Sequence, residues 1–222
     1  MLNRVGKKNM NYSVIIAAAG KGTRMGLKFN KMFLPIEGGK TILEKTLSIF
    51  LDDPRCKQIV IVTNPEDISK LIDRYEEGRI VYVMGGKTRQ ESVYHGLKAV
   101  TGDIVFVHDG ARPWLPLSDI NNLLEAMKTE RAAILGVKAV QTIKEVHGGY
   151  IKKTIPRQSL YHAQTPQAFE TKLLIECHEL AEKANFHATD DAQLVENFSN
   201  VPIKMVEGSY TNTKITTIHD LI

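Results

Sequence analysis

Apolar residues along this chain fall into two kinds of run that alternate. Short continuous runs at 14–16, 58–63 and 103–108 predict buried strands, 58–63 on both faces; 80–84 predicts a further strand, and a similar apolar run stands at 132–137. Between them apolar positions recur at helical spacing. Ile42, Leu43, Thr46, Leu47 and Phe50 predict a helix over 41–51 with Thr41 as its cap, and further helices are predicted over 65–75 and 89–100. Leu117, Ile120, Leu123, Leu124 and Met127 mark another. Strands and helices alternating through short links predict an α/β fold: a Rossmann-like, doubly wound, mostly parallel sheet flanked by helices.

The rhythm changes at about 138. No helical pattern appears between 140 and 162, and Gly148-Gly149 divides two strand-like pieces. This predicts a β-hairpin, a protruding arm over about 138–163 whose small core obliges it to lie on something else. Helices over 170–184 and from Thr189 follow, then a late strand at 201–206 in which Pro202 favours the start or a sheet edge. The expected organisation is a basic extension, 1–11, and a single domain, 12–222.

Charge changes this picture little. The formal balance is +4 over 222 residues, but Arg4, Lys7 and Lys8 stand in the extension with no acid beside them. The remainder holds 26 basic and 25 acidic residues, which gives no support to a nucleic-acid partner. No run has the length of a signal-peptide core or a membrane span, so no membrane partner is expected. The two cysteines, Cys56 and Cys177, lack metal-type spacing, and Cys177 lies on the apolar side of its helix as a buried free thiol. These features predict a cytoplasmic protein.

The chemistry concentrates after the first strand. Ala17, Ala18, Ala19, Gly20 and Gly22 leave backbone amides bare, and Lys21, Arg24, Lys28 and Lys31 bring cations beside them. Such a turn suits a polyphosphate. It is not a Walker A loop, because Met25 stands where the second glycine belongs; Met25 also replaces the third glycine of a dinucleotide fingerprint. Open α/β sheets bind ligands beyond the carboxyl ends of their strands. The segments 18–31, 85–92 and 109–113 are therefore expected to converge.

The run Ala18-Ala19-Gly20-Lys21-Gly22-Thr23-Arg24-Met25 with Lys31 resembles the signature of sugar and polyol phosphate nucleotidyltransferases. His108-Asp109-Gly110-Ala111-Arg112-Pro113, Gln164-Thr165-Pro166-Gln167-Ala168-Phe169, Thr189-Asp190-Asp191-Ala192 and Lys214-Ile215-Thr216 narrow the resemblance to the 2-C-methyl-D-erythritol 4-phosphate cytidylyltransferase family, over roughly 12–220. The resemblance implies attack by a polyol phosphate oxygen on the α-phosphorus of CTP, pyrophosphate as leaving group, Mg²⁺ held mainly by the CTP phosphates with Asp109 as a candidate ligand, and a homodimer joined through the arm. It further implies that Arg24, Lys31 and Lys214 stabilise charge on the reacting phosphates. Ala18, Ala19, Gly20, Gly22, Gly86 and Ser92, with Arg89 nearby, would bind the nucleotide. Asp109, Arg112, Thr142 and Arg157 would bind the acceptor, the last two from the partner's arm. Lys31 is expected to be an exposed loop lysine, and Asn30, standing where proline is commoner, to change only the backbone's freedom. His108 is expected to be structural, and 165–167 with Asp190 to shape the pocket.

Two rivals follow from the same residues. Ribitol 5-phosphate cytidylyltransferases share Arg-Met, Thr-Pro-Gln and Lys-Ile-Thr-like motifs; the Ala-Ala-Gly opening, 108–113 as written and 189–192 favour the erythritol enzymes. A dinucleotide-dependent oxidoreductase fits the strand–helix rhythm but lacks its third glycine.

Overall fold

A computed structural model describes residues 10–20, 29–36, 38–72, 74–75 and 78–221. The expected sheet is present. Strands β1 (Tyr12–Ala17), β2 (Cys56–Thr63), β3 (Ile80–Met84), β4 (Ile104–Asp109), β5 (Ala132–Lys138), β8 (Tyr161–Glu170) and β9 (Lys204–Glu207) form one seven-stranded sheet in the order β3-β2-β1-β4-β8-β5-β9. All neighbours are parallel except where β8 runs against β4 and β5. A separate two-stranded sheet, β6 (Ile143–His147) with β7 (Tyr150–Ile155), is the predicted hairpin. Its turn places Gly148 and Gly149 at φ of 56° and 85°, where a side chain would be strained.

Strand alternation divides the core in two. Val14 and Ile16 of β1, Ile59 and Ile61 of β2 and Phe106 of β4 face one side, packed with residues of α1 (Ile42–Leu51), α2 (Pro65–Ile72) and α4 (Leu117–Ala126). Ile15, Val60, Val62, Val105 and Val107 face the other, against α3 (Arg89–Leu97), α5 (Thr171–Lys183) and α6 (Asp191–Phe198). These strands are sequestered on both faces, which is why they read as unbroken apolar runs. Each fully buried Ile, Val or Phe contributes about 1.5–3 kcal/mol relative to exposure. Thr41 caps α1 in a reciprocal box with Glu44.

Several elements differ from expectation. Helices α2 and α3 stop at Ile72 and Leu97, short of 75 and 100. The late strand begins at Lys204, after Pro202, and forms the sheet edge. The largest difference is β8, which the sequence pattern does not announce. Pro166 and the polar Gln164, Thr165 and Gln167 stand in the middle of a central strand, where proline normally argues against a ladder. The ladder accommodates it by a register shift: Ile134 pairs with Gln167 and Gly136 with Ala163, so 164–166 lie opposite Leu135. Among the described residues no helix is long and apolar enough to cross a membrane. Residues 1–9 of the basic extension lie outside the described residues, and Met10 packs against the core.

Candidate active site

The carboxyl ends of β1, β3 and β4 open into a cavity of about 840 Å³, a size suited to a small-molecule ligand. Its walls are Ala17 to Gly20 after β1, Gly85 to Arg89 after β3, and Asp109 at the end of β4, with Lys31 and Lys214. The described parts of the three expected segments therefore converge.

Small residues make the convergence possible. A Cβ added at Gly85 would lie 2.5 Å from Cβ of Ala19, so the ends of β1 and β3 approach only because glycine stands there. The Gly86 amide donates to Oγ of Ser92 at 2.9 Å, and that hydroxyl donates to the Thr88 carbonyl at 2.8 Å. Ser92 thus fixes the Gly86 backbone. The Lys87 amide is held by the Glu91 carboxylate at 2.6 Å.

Lys31 departs from its expected exposure. It is 8% exposed, in a short 3-10 turn, Lys31–Phe33, and its ammonium donates to the Ile215 carbonyl at 2.6 Å. This bond seats Lys31 beside the segment that carries Lys214. Asn30 likewise does more than its expected backbone role. Its Oδ1 accepts from the Met32 amide at 3.1 Å, and its Nδ2 donates to the Ala18 carbonyl at 2.7 Å and to Asp67 at 2.9 Å. The asparagine ties the turn bearing Lys31 to the end of β1, which a proline could not do.

Asp109 is the electrostatic centre. Lys214 Nζ lies 2.7 Å from its Oδ2, Arg89 Nε 3.2 Å from its Oδ1, and Arg112 Nε 3.8 Å from its Oδ2. Burial opposes ionisation of this carboxyl, but Arg89, Lys214 and Arg112 outweigh it and hold its pKa well below the usual carboxylate range. Arg112 sits behind the cavity wall, donating from Nη1 to the Asn212 carbonyl at 2.7 Å. The Ile215 amide donates to the Ala111 carbonyl at 2.9 Å, fastening the Lys214 segment to the loop after β4.

His108 is structural, as expected. It is fully buried, and burial pushes its pKa down to about 4. The ring is neutral, and the Arg112 carbonyl, 3.2 Å away, requires a donor at Nε2. Nδ1 is then the acceptor, so the Thr165 hydroxyl donates to it across 3.1 Å while accepting the Asp109 amide at 3.0 Å. Thr165 thereby sets the backbone of Asp109, which gives physical content to the pocket-shaping expectation.

A model of the 2-C-methyl-D-erythritol 4-phosphate cytidylyltransferase family matches residues 12–222. The chain belongs to this family. It is accordingly a nucleotidyltransferase of the cytidylyltransferase kind. The chain is 44% identical over 218 residues to the 2-C-methyl-D-erythritol 4-phosphate cytidylyltransferase of Geobacillus thermodenitrificans, covering 96% of this chain and 95% of that one. It is 42% identical to the enzyme of that name from Clostridioides difficile, covering 95% and 90%. The crystal structure of the Francisella tularensis enzyme superposes with a TM-score of 0.82 at 36% identity, over 95% of this chain and 96% of that one. The 4-diphosphocytidyl-2C-methyl-D-erythritol synthase of Anaerococcus prevotii gives 0.83 at 34%, over 96% of each.

Of the site residues expected from the sequence, Ala18, Ala19, Gly20, Lys31, Gly86, Arg89, Ser92, Asp109 and Lys214 line one cavity. Gly22 and Arg24 lie outside the described residues. Thr142 and Arg157 belong to the arm region, both exposed, with Arg157 donating to the Val140 carbonyl; neither lines this cavity within one chain. Sequence reasoning missed the side-chain work of Asn30 and gave Asp191 no role, although Asp191 is 1% exposed and 2.8 Å from Nη1 of Arg89. The sequence carried no such signal for Asp191, since an acid in the first turn of a helix is favoured there without a partner.

Proposed function

We propose that the chain transfers a cytidylyl group from CTP to 2-C-methyl-D-erythritol 4-phosphate, releasing pyrophosphate for non-mevalonate isoprenoid synthesis. The observation that carries this reading is the gathering of Lys31, Lys214, Arg89 and Asp109 around bare backbone at 17–20 and 85–86, in one cavity at the strand ends.

The reaction joins two anions, so positioning and charge neutralisation are its main needs, and no protein nucleophile is required. Ala18, Ala19 and Gly86 offer backbone groups to the cytosine edge, with Ser92 holding Gly86 in place. Lys31 and Lys214, joined through 215, stabilise charge that builds on the α-phosphoryl group and pyrophosphate, together with Arg24. Asp109 accepts hydrogen bonds from the polyol hydroxyls, and Arg112 behind it draws the acceptor phosphate inward.

Among the described residues no group of three or more His, Cys, Asp or Glu forms a metal cage. Both oxygens of Asp109 face cations at 2.7 and 3.2 Å, so this carboxylate does not fit as a metal ligand in this arrangement. A Mg²⁺ brought with CTP would be held by the triphosphate and would neutralise phosphate charge.

The acceptor site is completed by a second copy of the chain. Tyr150, Ile151 and Val146 on the arm are 82%, 65% and 51% exposed, an apolar surface that a homodimer would cover. Thr142 and Arg157 would then reach the partner's acceptor phosphate. The proposed location is the cytoplasm, with no nucleic-acid or membrane partner.

Pyrophosphate release from CTP and Mg²⁺ with 2-C-methyl-D-erythritol 4-phosphate, against ribitol 5-phosphate, tests the reading. Faster release with the ribitol substrate would reverse the choice of acceptor. NADH is expected to give no fluorescence change on titration.

A further inference from the structure

The two acids at the start of α6 have different surroundings. Asp190 caps the helix: its Oδ1 accepts the Gln193 amide at 3.0 Å, and its Oδ2 accepts from Gln167 Nε2 at 2.8 Å. Oε1 of Gln167 accepts the amides of Asp191 and Ala192 at 3.1 and 3.0 Å. The start of the helix is thus held without the Asp191 carboxylate. That carboxylate is nevertheless 1% exposed, a costly placement for an ion unless a partner compensates it.

Its ion partner is Arg89, Nη1 to Oδ2 at 2.8 Å. The other nearby group, His178, lies 3.9 Å away with no hydrogen bond at Nε2, stacked on Tyr94 and made neutral by burial. Arg89 therefore spans two carboxylates, Asp191 behind the cavity wall and Asp109 on it. Asp191 holds the outer nitrogen, so the guanidinium meets Asp109 through Nε.

We propose that Asp191 is a positioning residue for the acceptor: by sharing Arg89 it keeps that guanidinium from closing its two-nitrogen fork on Asp109, leaving lone pairs for the polyol hydroxyls. The inference rests on Asp109 being the acceptor's ligand. Bidentate guanidinium–carboxylate pairing is the stronger arrangement, and without Asp191 Arg89 is free to adopt it.

The test is steady-state kinetics with each substrate varied in turn. Asp191→Asn keeps the shape and the Gln167 bonds, which go to backbone amides. It is expected to raise KM for the polyol phosphate roughly tenfold while KM for CTP stays within about twofold. Asp191→Glu, which retains the charge one methylene displaced, is expected to fall between wild type and Asn. In an Arg89→Ala background the effect of Asp191→Asn should shrink to under about twofold, because the carboxylate acts through the arginine. Unchanged acceptor KM, equal movement of both KM values, or additive penalties would overturn the proposal. Should Asp191→Asn fail to fold, Asp191→Glu must still raise the acceptor KM selectively. Asp109→Asn separates the two layers. If it leaves the acceptor KM unchanged, the reading of Asp109 fails and takes the inference with it. If it raises that KM while Asp191→Asn does not, the inference alone fails.

Discussion

At position 31 the chain buries an ammonium against the Ile215 carbonyl, so the lysine is both a cavity charge and a tie on the 212–216 segment. Lys31→Ala is expected to lower turnover by roughly 100-fold or more, the scale of a lost transition-state donor. It should also cost about 1–2 kcal/mol of stability, because a buried carbonyl loses its partner. Pyrophosphate release and urea unfolding on the same preparation check both. The buried histidines give a second residue-scale outcome. His108 and His178 lie at about 4 in the fold against an ordinary value of 6.5, burial disfavouring the charged ring in each. Between those values the unfolded chain binds protons that the folded chain does not. Stability is therefore fully present above about pH 6.5 and falls as pH drops towards 4, by on the order of 3 kcal/mol per histidine. His178→Phe, which keeps a ring against Tyr94, is expected to remove about half of that loss in urea midpoints taken from pH 7.5 to 4.5. Asp109 adds little in this window, since the stability its depressed pKa contributes is present above the ordinary carboxylate value and is lost as pH falls through and below that value.

At the scale of elements, the site depends on how closely strand ends and turns approach. Gly85→Ala would set a methyl 2.5 Å from Ala19 Cβ and press β1 and β3 apart at the nucleotide wall. The expected outcome is a loss of about 1–3 kcal/mol in stability and a weakened CTP affinity, read by thermal unfolding and calorimetric titration; unchanged CTP binding would show that the wall tolerates the separation. The central parallel strands β1, β2 and β4 were legible because burial on both faces writes continuous apolar runs, and their helices because apolar residues recur at helical spacing. Strand β8 was not, because its middle is written in residues chosen for the site: Thr165 for Asp109 and His108, and Gln167 for the start of α6. Local pattern and ladder disagree there, and the tertiary demand wins. Asn30 was misread for a related reason. A backbone comparison with proline carries no information about side-chain partners twelve and thirty-seven residues away.

For the whole molecule, the shared-site reading makes a prediction that no single chain can mimic. Mixing Lys214→Ala chains with Arg157→Ala chains should form dimers in which one of two sites is intact, restoring roughly a quarter of wild-type activity from random pairing. Pyrophosphate release before and after mixing measures it, and silence after confirmed subunit exchange would count against a site built from two chains. The convergence of 18–20, 85–92 and 109 was legible from topology alone, since parallel strands must end at one rim. The link from Arg89 to Asp191 was not, because 102 residues separate them and only folding brings α3 and α6 together. The reversed direction of β8 has one more consequence. The chain leaves the sheet at Lys138 and re-enters at Tyr161, and these two residues are paired, so the excursion is closed at its base like the neck of a purse. Lengthening, shortening or exchanging what lies beyond that neck is expected to leave the sheet's register unaltered. The excursion starts from the rim where the cavity opens and carries Thr142 and Arg157, so under the shared-site reading exchanging it alters the partner's acceptor site while the sheet stays as it is.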